Sequence, residues 1–338
     1  MRSRKRIGYI LFGILISALM LWFLFKDIDF TKLMEALKGA NYLWLIPNIL
    51  LIILTMYIRA YRWQLMINPL KRVPFHKLLA ATCVGFMANN VLPLRLGEFV
   101  RAFSLAKQEN EIRKSAALAT IFIERTFFDL TALLMIFGGV FAFSTVVREY
   151  IDDAFVTGVY LAIGIALIGL FSMLIMGRNP EKTASLLTRK LGFIPEKIRD
   201  KIQGILIKFS GGLKFLSSLK TVLFVEFHTL LIWLVMGLSN IFIFYTFGFD
   251  ISITAAFFLL VVVSIAILIP SSPGFVGIYH AAASSSVMAY GVGKEEALSF
   301  ALVLHATQYI VVTLMGFYFL KKEHFSLKSL EEEATSEV

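Results

Sequence analysis

The 338-residue chain has one cysteine, eight prolines and few charges, with Asp, Glu, Lys and Arg making up 17% of it, against roughly 25% in soluble domains. Cys83 has no second cysteine to pair with, which excludes an intrachain disulfide and any CxxC motif. Patterns of the GxSxG, HExxH and GxxxxGK[ST] types are absent, and Ser272-Pro273-Gly274 is not a nucleophile elbow. The chain is therefore not expected to be an enzyme. No cofactor is expected either, and no metal, since Glu124, His280 and His305 lack a ligand spacing.

Apolar residues are abundant, at 58%. They arrive in runs, at 7–25, 43–58, 159–176 and 223–247, each close to the ~20 residues that cross a bilayer as a helix. The expected fold is all-α, a polytopic helical membrane protein. Arg2, Arg4, Lys5 and Arg6 resemble the start of a signal peptide, but the run behind them ends at Lys26-Asp27 without a small-residue cleavage site, so 7–25 reads as a retained first helix.

Basic residues cluster before the first helix, over 59–77 and over 177–220, whereas 26–40, 144–153 and 248–251 are neutral or acidic. The positive-inside rule then places both termini in the cytoplasm of a multi-pass cell-membrane protein. Within the basic loop 177–220, Ile198, Ile202, Ile205, Leu206 and Phe209 follow Pro195 at helical spacing. Such an amphipathic helix can lie on an anionic leaflet, or its charge can simply reflect orientation. The tail 321–338, with Glu331, Glu332, Glu333 and Glu337, reads as solvated and disordered.

Two apolar stretches are interrupted. Asn89-Asn90-Val91-Leu92-Pro93-Leu94-Arg95-Leu96-Gly97-Glu98 breaks the first, and Pro270-Ser271-Ser272-Pro273-Gly274-Phe275-Val276-Gly277 the second. Pro93, Gly97, Pro270, Pro273 and Gly277 are the expected hinges. Irregular backbone at membrane depth survives only where protein or a water-filled cavity covers it, so each break points to a site. The charge pattern makes the two broken, re-entrant hairpins oppositely oriented. Span, broken hairpin and span over 43–143 would recur upside down over 222–320 as an inverted repeat, joined by a linking helix at 159–176 within a single integral membrane domain, 1–338.

Ionisable residues inside a membrane are functional candidates by default, because their insertion costs about 2.5–3.5 kcal/mol each. Arg59, Arg62, Arg95, Glu98, Arg101, Glu124, Arg125 and Asp129 form one set, with Asn89 and Asn90 beside it. The plainer readings are that Arg125 and Asp129, four residues apart, only fix helix register, and that Arg59 and Arg62 are snorkelling anchors at a helix end. Five arginines against three acids nonetheless leave surplus guanidinium, which suits a phosphate. At the second break Ser271, Ser272 and Gly274 offer hydroxyls and amides before a new helix start. His280, like His305 and Gln308 on the next helix, could titrate, hydrogen-bond a headgroup or merely join helices.

Taken in order, Arg59-Ala-Tyr-Arg62-Trp63, the Asn89 to Arg101 segment, Glu124-Arg125-Thr126-Phe-Phe-Asp129 and Pro270-Ser-Ser-Pro273-Gly274-Phe-Val-Gly277 resemble the lysylphosphatidylglycerol synthase transmembrane-region family, also called flippase-like integral membrane proteins. The resemblance spans about 8–320 and implies movement of a lipid between leaflets. Two-part members of that family carry a soluble aminoacyl-transfer domain, absent from these 338 residues, so the chain is expected to be a stand-alone member. The expected partner is a membrane lipid bearing a phosphate, with a homo-oligomer or an envelope-biosynthesis enzyme as the protein partner. Nucleic acid is not expected, because the basic patches lie at membrane boundaries. The expected function is a lipid flippase using a cationic intramembrane cavity, with a membrane enzyme or enzyme subunit acting on a polyprenyl phosphate sugar as the alternative.

Overall fold

The computed structural model describes residues 2–150, 153–178 and 211–336, which are helix and turn with no strand among them. The amphipathic helix expected at 195–209 lies outside the described residues. Among the described residues four stretches are long and apolar enough to cross a membrane: Tyr42–Ile67, Lys114–Phe143, Leu219–Phe247 and Lys294–Lys322. We number the helices in chain order. Helix α1 (Arg2–Phe25) meets α2 (Phe30–Gly39) at 90°. The 26–40 connection is thus largely helix, started by Asp29, whose carboxylate accepts from the Thr31 and Lys32 amides. The first long span contains α3 (Leu45–Ile67), and the first hairpin is α4 (Phe75–Val91) and α5 (Gly97–Gln108) around a one-turn Pro93–Arg95 helix.

The second long stretch is α6 (Lys114–Ile123), a π-helical turn at Glu124–Asp129, and α7 (Leu130–Phe143). Short α8 (Thr145–Tyr150) and then α9 (Asp153–Arg178) follow. The third is α10 (Leu219–Phe247), capped by the Ser218 hydroxyl at one end and by left-handed Gly248 at the other. Helices α11 (Ile253–Ala266) and α12 (Ile278–Met288) flank the second break, and α13 (Lys294–Lys322) is the last long span. All four hairpin helices, at 17, 12, 14 and 11 residues, are shorter than the ~20 needed to span. Both expected interruptions are therefore present as broken helices.

Each hairpin has its own core. Trp63, Leu78, Met87, Phe103 and Phe128 pack around the first, and Phe244, Leu259, Tyr279, Phe300 and Leu304 around the second. Large apolar side chains such as Phe12, Leu50, Phe143, Ile165, Phe227 and Leu314 stay exposed, the lipid-facing belt that a membrane protein requires. The tail departs from the expectation of a solvated, disordered end. Helix α14 (Leu327–Ser336) packs on α5, with Leu330 fully buried and Glu333 ion-paired to Lys114. Its apolar residues are few, but Leu330 and Leu327 fall on one face and complete the first core.

Gly97, expected as a hinge, acts by close approach. A Cβ there would lie 2.1 Å from the Gly85 carbonyl oxygen and 2.5 Å from the Asn89 amide, so α4 and α5 touch backbone to backbone. Gly97→Ala should cost about 1–3 kcal/mol through overpacking, read as a lower unfolding midpoint in detergent. At the base of this hairpin Lys71 and Lys77 contact Glu109 at 2.6 and 2.8 Å. Their hydrogen bonds hold the Glu109 carboxyl below the usual carboxylate range. The stabilisation is complete above the ordinary pKa of about 4.3 and is lost as pH falls through the folded-state value. Glu109→Gln should therefore flatten the acid limb of a stability-against-pH curve.

Candidate functional site

Arg59 and Arg62 do not end a helix. Helix α3 continues to Ile67, and both guanidinium groups are buried in its interior, which removes the snorkelling reading. Arg62 reaches Asp129 at 2.6 Å, Glu124 at 2.8 Å and the Thr229 hydroxyl at 2.9 Å. Arg101 holds Glu124 through two nitrogens, at 2.8 and 3.2 Å, and stacks over the Trp63 ring at 4.1 Å. Arg62 and Glu124 are 0% exposed. Two arginines and a carboxylate so enclosed are stable only because each compensates the other's desolvation.

One short segment serves two sides. Within a π-helical turn, a feature common at functional sites, Glu124 joins the buried network and its neighbour Arg125 lines a cavity. Asp129 joins the two, with Oδ1 on Arg62 and Oδ2 accepting from Arg125 at 2.9 Å. Glu98, 3.9 Å from Arg125, also accepts from the Asn89 amide at 3.3 Å. Arg62, Arg101 and Arg125 thus balance Glu124, Asp129 and Glu98.

The cavity, of about 660 Å³, lies between the two hairpins. Arg59, Asn89, Asn90, Arg95, Glu98, Arg125 and Asp129 line it, whereas Arg62, Arg101 and Glu124 sit behind its wall. Ser271, Ser272, Gly274 and His280 do not line it either. Ser272 is engaged by Ser17 of α1, its amide donating to the Ser17 hydroxyl at 2.9 Å, and the Gly277 amide donates to His280. The Ser272 and Gly277 amides are therefore already engaged by side chains of the protein itself.

Two lining guanidinium groups have no carboxylate within ion-pair distance among the described residues. Arg59 contacts the Met236 sulfur at 2.9 Å and stacks on Phe86 at 4.8 Å. Arg95 donates to the Ile267 carbonyl at 3.1 Å, at the open end of α11, and lies 5.6 Å from the centre of the Phe275 ring. Arg95 adopts φ 55, and Phe275 φ 59, a left-handed conformation costing an L-residue about 1–2 kcal/mol. Both breaks thus hold a strained residue, and the two residues touch each other.

Sequence reasoning did not select Phe86, Met236, Phe275 or Tyr279, which line the cavity alongside His305 and Gln308. Phe86 sits in an unbroken apolar run with no distinguishing signal. Phe275 and Tyr279 follow directly from the break and were within reach of the same argument. The rim carries exposed apolar side chains, Phe122 at 57% and Leu268 at 64%.

The family model of the lysylphosphatidylglycerol synthase TM region matches residues 10–316. The chain belongs to that family. It is 23% identical to Glycosyltransferase AglD of Haloferax volcanii, over 95% of this chain and 55% of that protein. The chain thus spans about half the length of AglD. It is also similar to UPF0104 membrane proteins of Methanothermobacter thermautotrophicus (24% identity, 94% of each chain) and Pyrococcus horikoshii (22%, 92% of this chain and 95% of the other). No solved structure matches it. Family membership and the four apolar spans make it a polytopic membrane protein.

Proposed function

We propose that this family member moves a phosphate-bearing lipid between leaflets, with the phosphate bound between Arg59 and Arg95. The observation that carries this reading is the pair of guanidinium groups that face one cavity with no carboxylate within ion-pair distance among the described residues. Uncompensated charge at membrane depth is costly, and an anionic headgroup supplies the missing partner with bidentate hydrogen bonds. Glu98, Asp129 and Arg125 then hold the wall, and the apolar rim at Phe122 and Leu268 leaves the tails in lipid.

Alternating access is supported by a recurrence at a spacing of 180 residues. Pro93, Arg95 and Gly97 correspond to Pro273, Phe275 and Gly277, and the spans that follow begin at Lys114 and Lys294. On this reading the two units, 43–143 and 222–320, are inverted repeats that rock against each other around the fixed site, with the cluster at Lys71 and Lys77 on the cytoplasmic side.

A second reading, an enzyme acting on a lipid-linked sugar, is favoured by the similarity to a protein named a glycosyltransferase. Proteoliposomes separate the two. Fluorescent phospholipid that becomes wholly accessible to an outside quencher, at unchanged mass, is the result expected of a translocator. A new lipid product by mass spectrometry with no change in accessibility would establish the enzyme instead.

A further inference from the structure

We infer that His280 and His305 form a proton-binding latch on the second break, and that protonation of this pair is coupled to anion binding in the cavity. The purpose assigned to the latch rests on the transport reading above; the latch itself does not.

The tautomers follow from a group that cannot change its role. The backbone amide of Gly277 donates to His280 Nδ1 at 3.3 Å, so that nitrogen carries a lone pair and the ring's proton is on Nε2. His280 Nε2 lies 3.1 Å from His305 Nδ1. His305 Nδ1 is therefore the acceptor, and its own proton is on Nε2. The backbone of Gly274 is a further hydrogen-bond partner of His305. Stacking fixes the ring planes, with Tyr279 on His305 at a centroid distance of 4.3 Å and the Tyr279 hydroxyl donating to Gln308 at 3.0 Å. Both histidines are less than a tenth exposed.

Every lone pair in this chain is used, so an added proton has no acceptor. On His280 Nδ1 it would face the Gly277 N–H; on His305 Nδ1 it would face the His280 N–H. His280 is the third residue of α12, where its ring accepts from the amide that begins the helix. A cation there also opposes the helix dipole. Protonation thus breaks at least one bond of the chain. The turn that those bonds restrain is held left-handed at Gly274, Phe275 and Gly277 (φ 71, 59 and 88), so its release changes the backbone at the hinge itself.

The groups facing the pair set the sign of the coupling. From α12 and α13 these are Tyr279, Gln308 and Tyr309, the last edge-on to His305 at 5.9 Å. From α4 the Asn90 carbonyl approaches Gly274, and from α1 Ser17 approaches Gly277. From the first break comes Arg95, resting on Phe275. Arg95 is the one charged group of this set, and among the described residues no carboxylate is ion-paired to either imidazole. Arg95 and His305 line the same cavity, so an anion bound there by Arg95 favours a positive charge on the histidine pair. Proton and phosphate therefore favour each other's binding, reciprocally. His305 lines the cavity, which gives the proton its route.

The test is hydrogen exchange of 270–280 in the full-length protein, in nanodiscs of a zwitterionic phospholipid, corrected for the intrinsic pH dependence. Between about pH 8 and about pH 3.5, a window carried below the ordinary histidine range because an added proton has no free acceptor on either ring, protection in the wild type should fall about tenfold, the order expected of one lost hydrogen bond. In His280→Gln/His305→Gln the amides accept and donate as neutral imidazoles do but cannot titrate, so protection should be independent of pH. A wild type without pH response, or a double variant that keeps the wild-type response, would overturn the latch. Nitrogen NMR of histidine-labelled wild type adds a check independent of the variants: both rings should be Nε2–H at neutral pH, and an Nδ1–H tautomer in either overturns it. Neither experiment uses lipid transport, so a failure of the transport reading leaves a separate signature.

Discussion

Glu124→Ala is expected to destabilise the folded protein by about 3–5 kcal/mol, the usual cost of removing one partner from a buried ion pair. Glu124 contacts both Arg62 and Arg101 at 2.8 Å, and none of the three is more than 2% exposed at its side chain. Its loss strands two guanidinium groups, leaving, among the described residues, Asp129 and Thr229 to Arg62 and the Trp63 ring to Arg101. Thermal unfolding in detergent should show the largest drop of any single carboxylate variant of the cavity region. Glu124→Gln keeps the shape and loses the charge, and should fall between the two. Such a hierarchy would mark Glu124 as the framework of the site, in contrast to the residues that face the cavity.

Arg59→Ala and Arg95→Ala should do the opposite, costing activity with little effect on folding. Each removes a cation, buried in Arg59 and part-exposed in Arg95, that has no ion-paired carboxylate among the described residues, so no stranded acid is created. For Arg95→Ala the lost bond to Ile267 should cost about 0.5–1.5 kcal/mol, and Arg95→Gly, which also relieves the left-handed strain, should change stability by less than about 1 kcal/mol. Loss of a fully desolvated charge contact to phosphate costs about 2–5 kcal/mol, so transport should fall roughly thirty- to several-thousandfold. Arg95→Lys should recover part of this, because lysine supplies the charge without the two-pronged geometry. Measuring the transport rate and the unfolding midpoint on the same preparations separates this outcome from a structural role.

The helical membrane class and both interruptions were legible because they rest on composition and on helix breakers, signals that need no tertiary contact. Arg125 with Asp129 was legible from a spacing of four residues and is an ion pair at 2.9 Å. The division of the arginines into those behind the wall and those facing the cavity was not legible. It depends on how α3 and α5 pack, which turns Arg62 and Arg101 onto Glu124 and leaves Arg59 and Arg95 on the cavity, a tertiary arrangement with no composition signature. Helix α2 was legible and was passed over: Phe30, Leu33, Met34 and Leu37 recur at helical spacing behind the Asp29 cap, but 26–40 was read only for its charge as a connection. The tail was read from its glutamates, while Leu330 decided its packing. The recurrence of Pro, left-handed residue and Gly at a spacing of 180 was present in the sequence as Pro93-x-x-x-Gly97 and Pro273-x-x-x-Gly277. It carries meaning only once the φ values mark the middle residue of each.

The placement of a lipid phosphate between Arg59 and Arg95 is tested most directly by equilibrium binding to the full-length protein in nanodiscs, comparing diacyl phosphatidate with diacylglycerol. The two ligands share their tails and differ in the phosphate. Wild type should bind the phosphatidate more tightly by the factor that Arg59→Ala/Arg95→Ala then removes, leaving the double variant with equal affinity for both. A double variant that discriminates between them as well as the wild type does would contradict the placement.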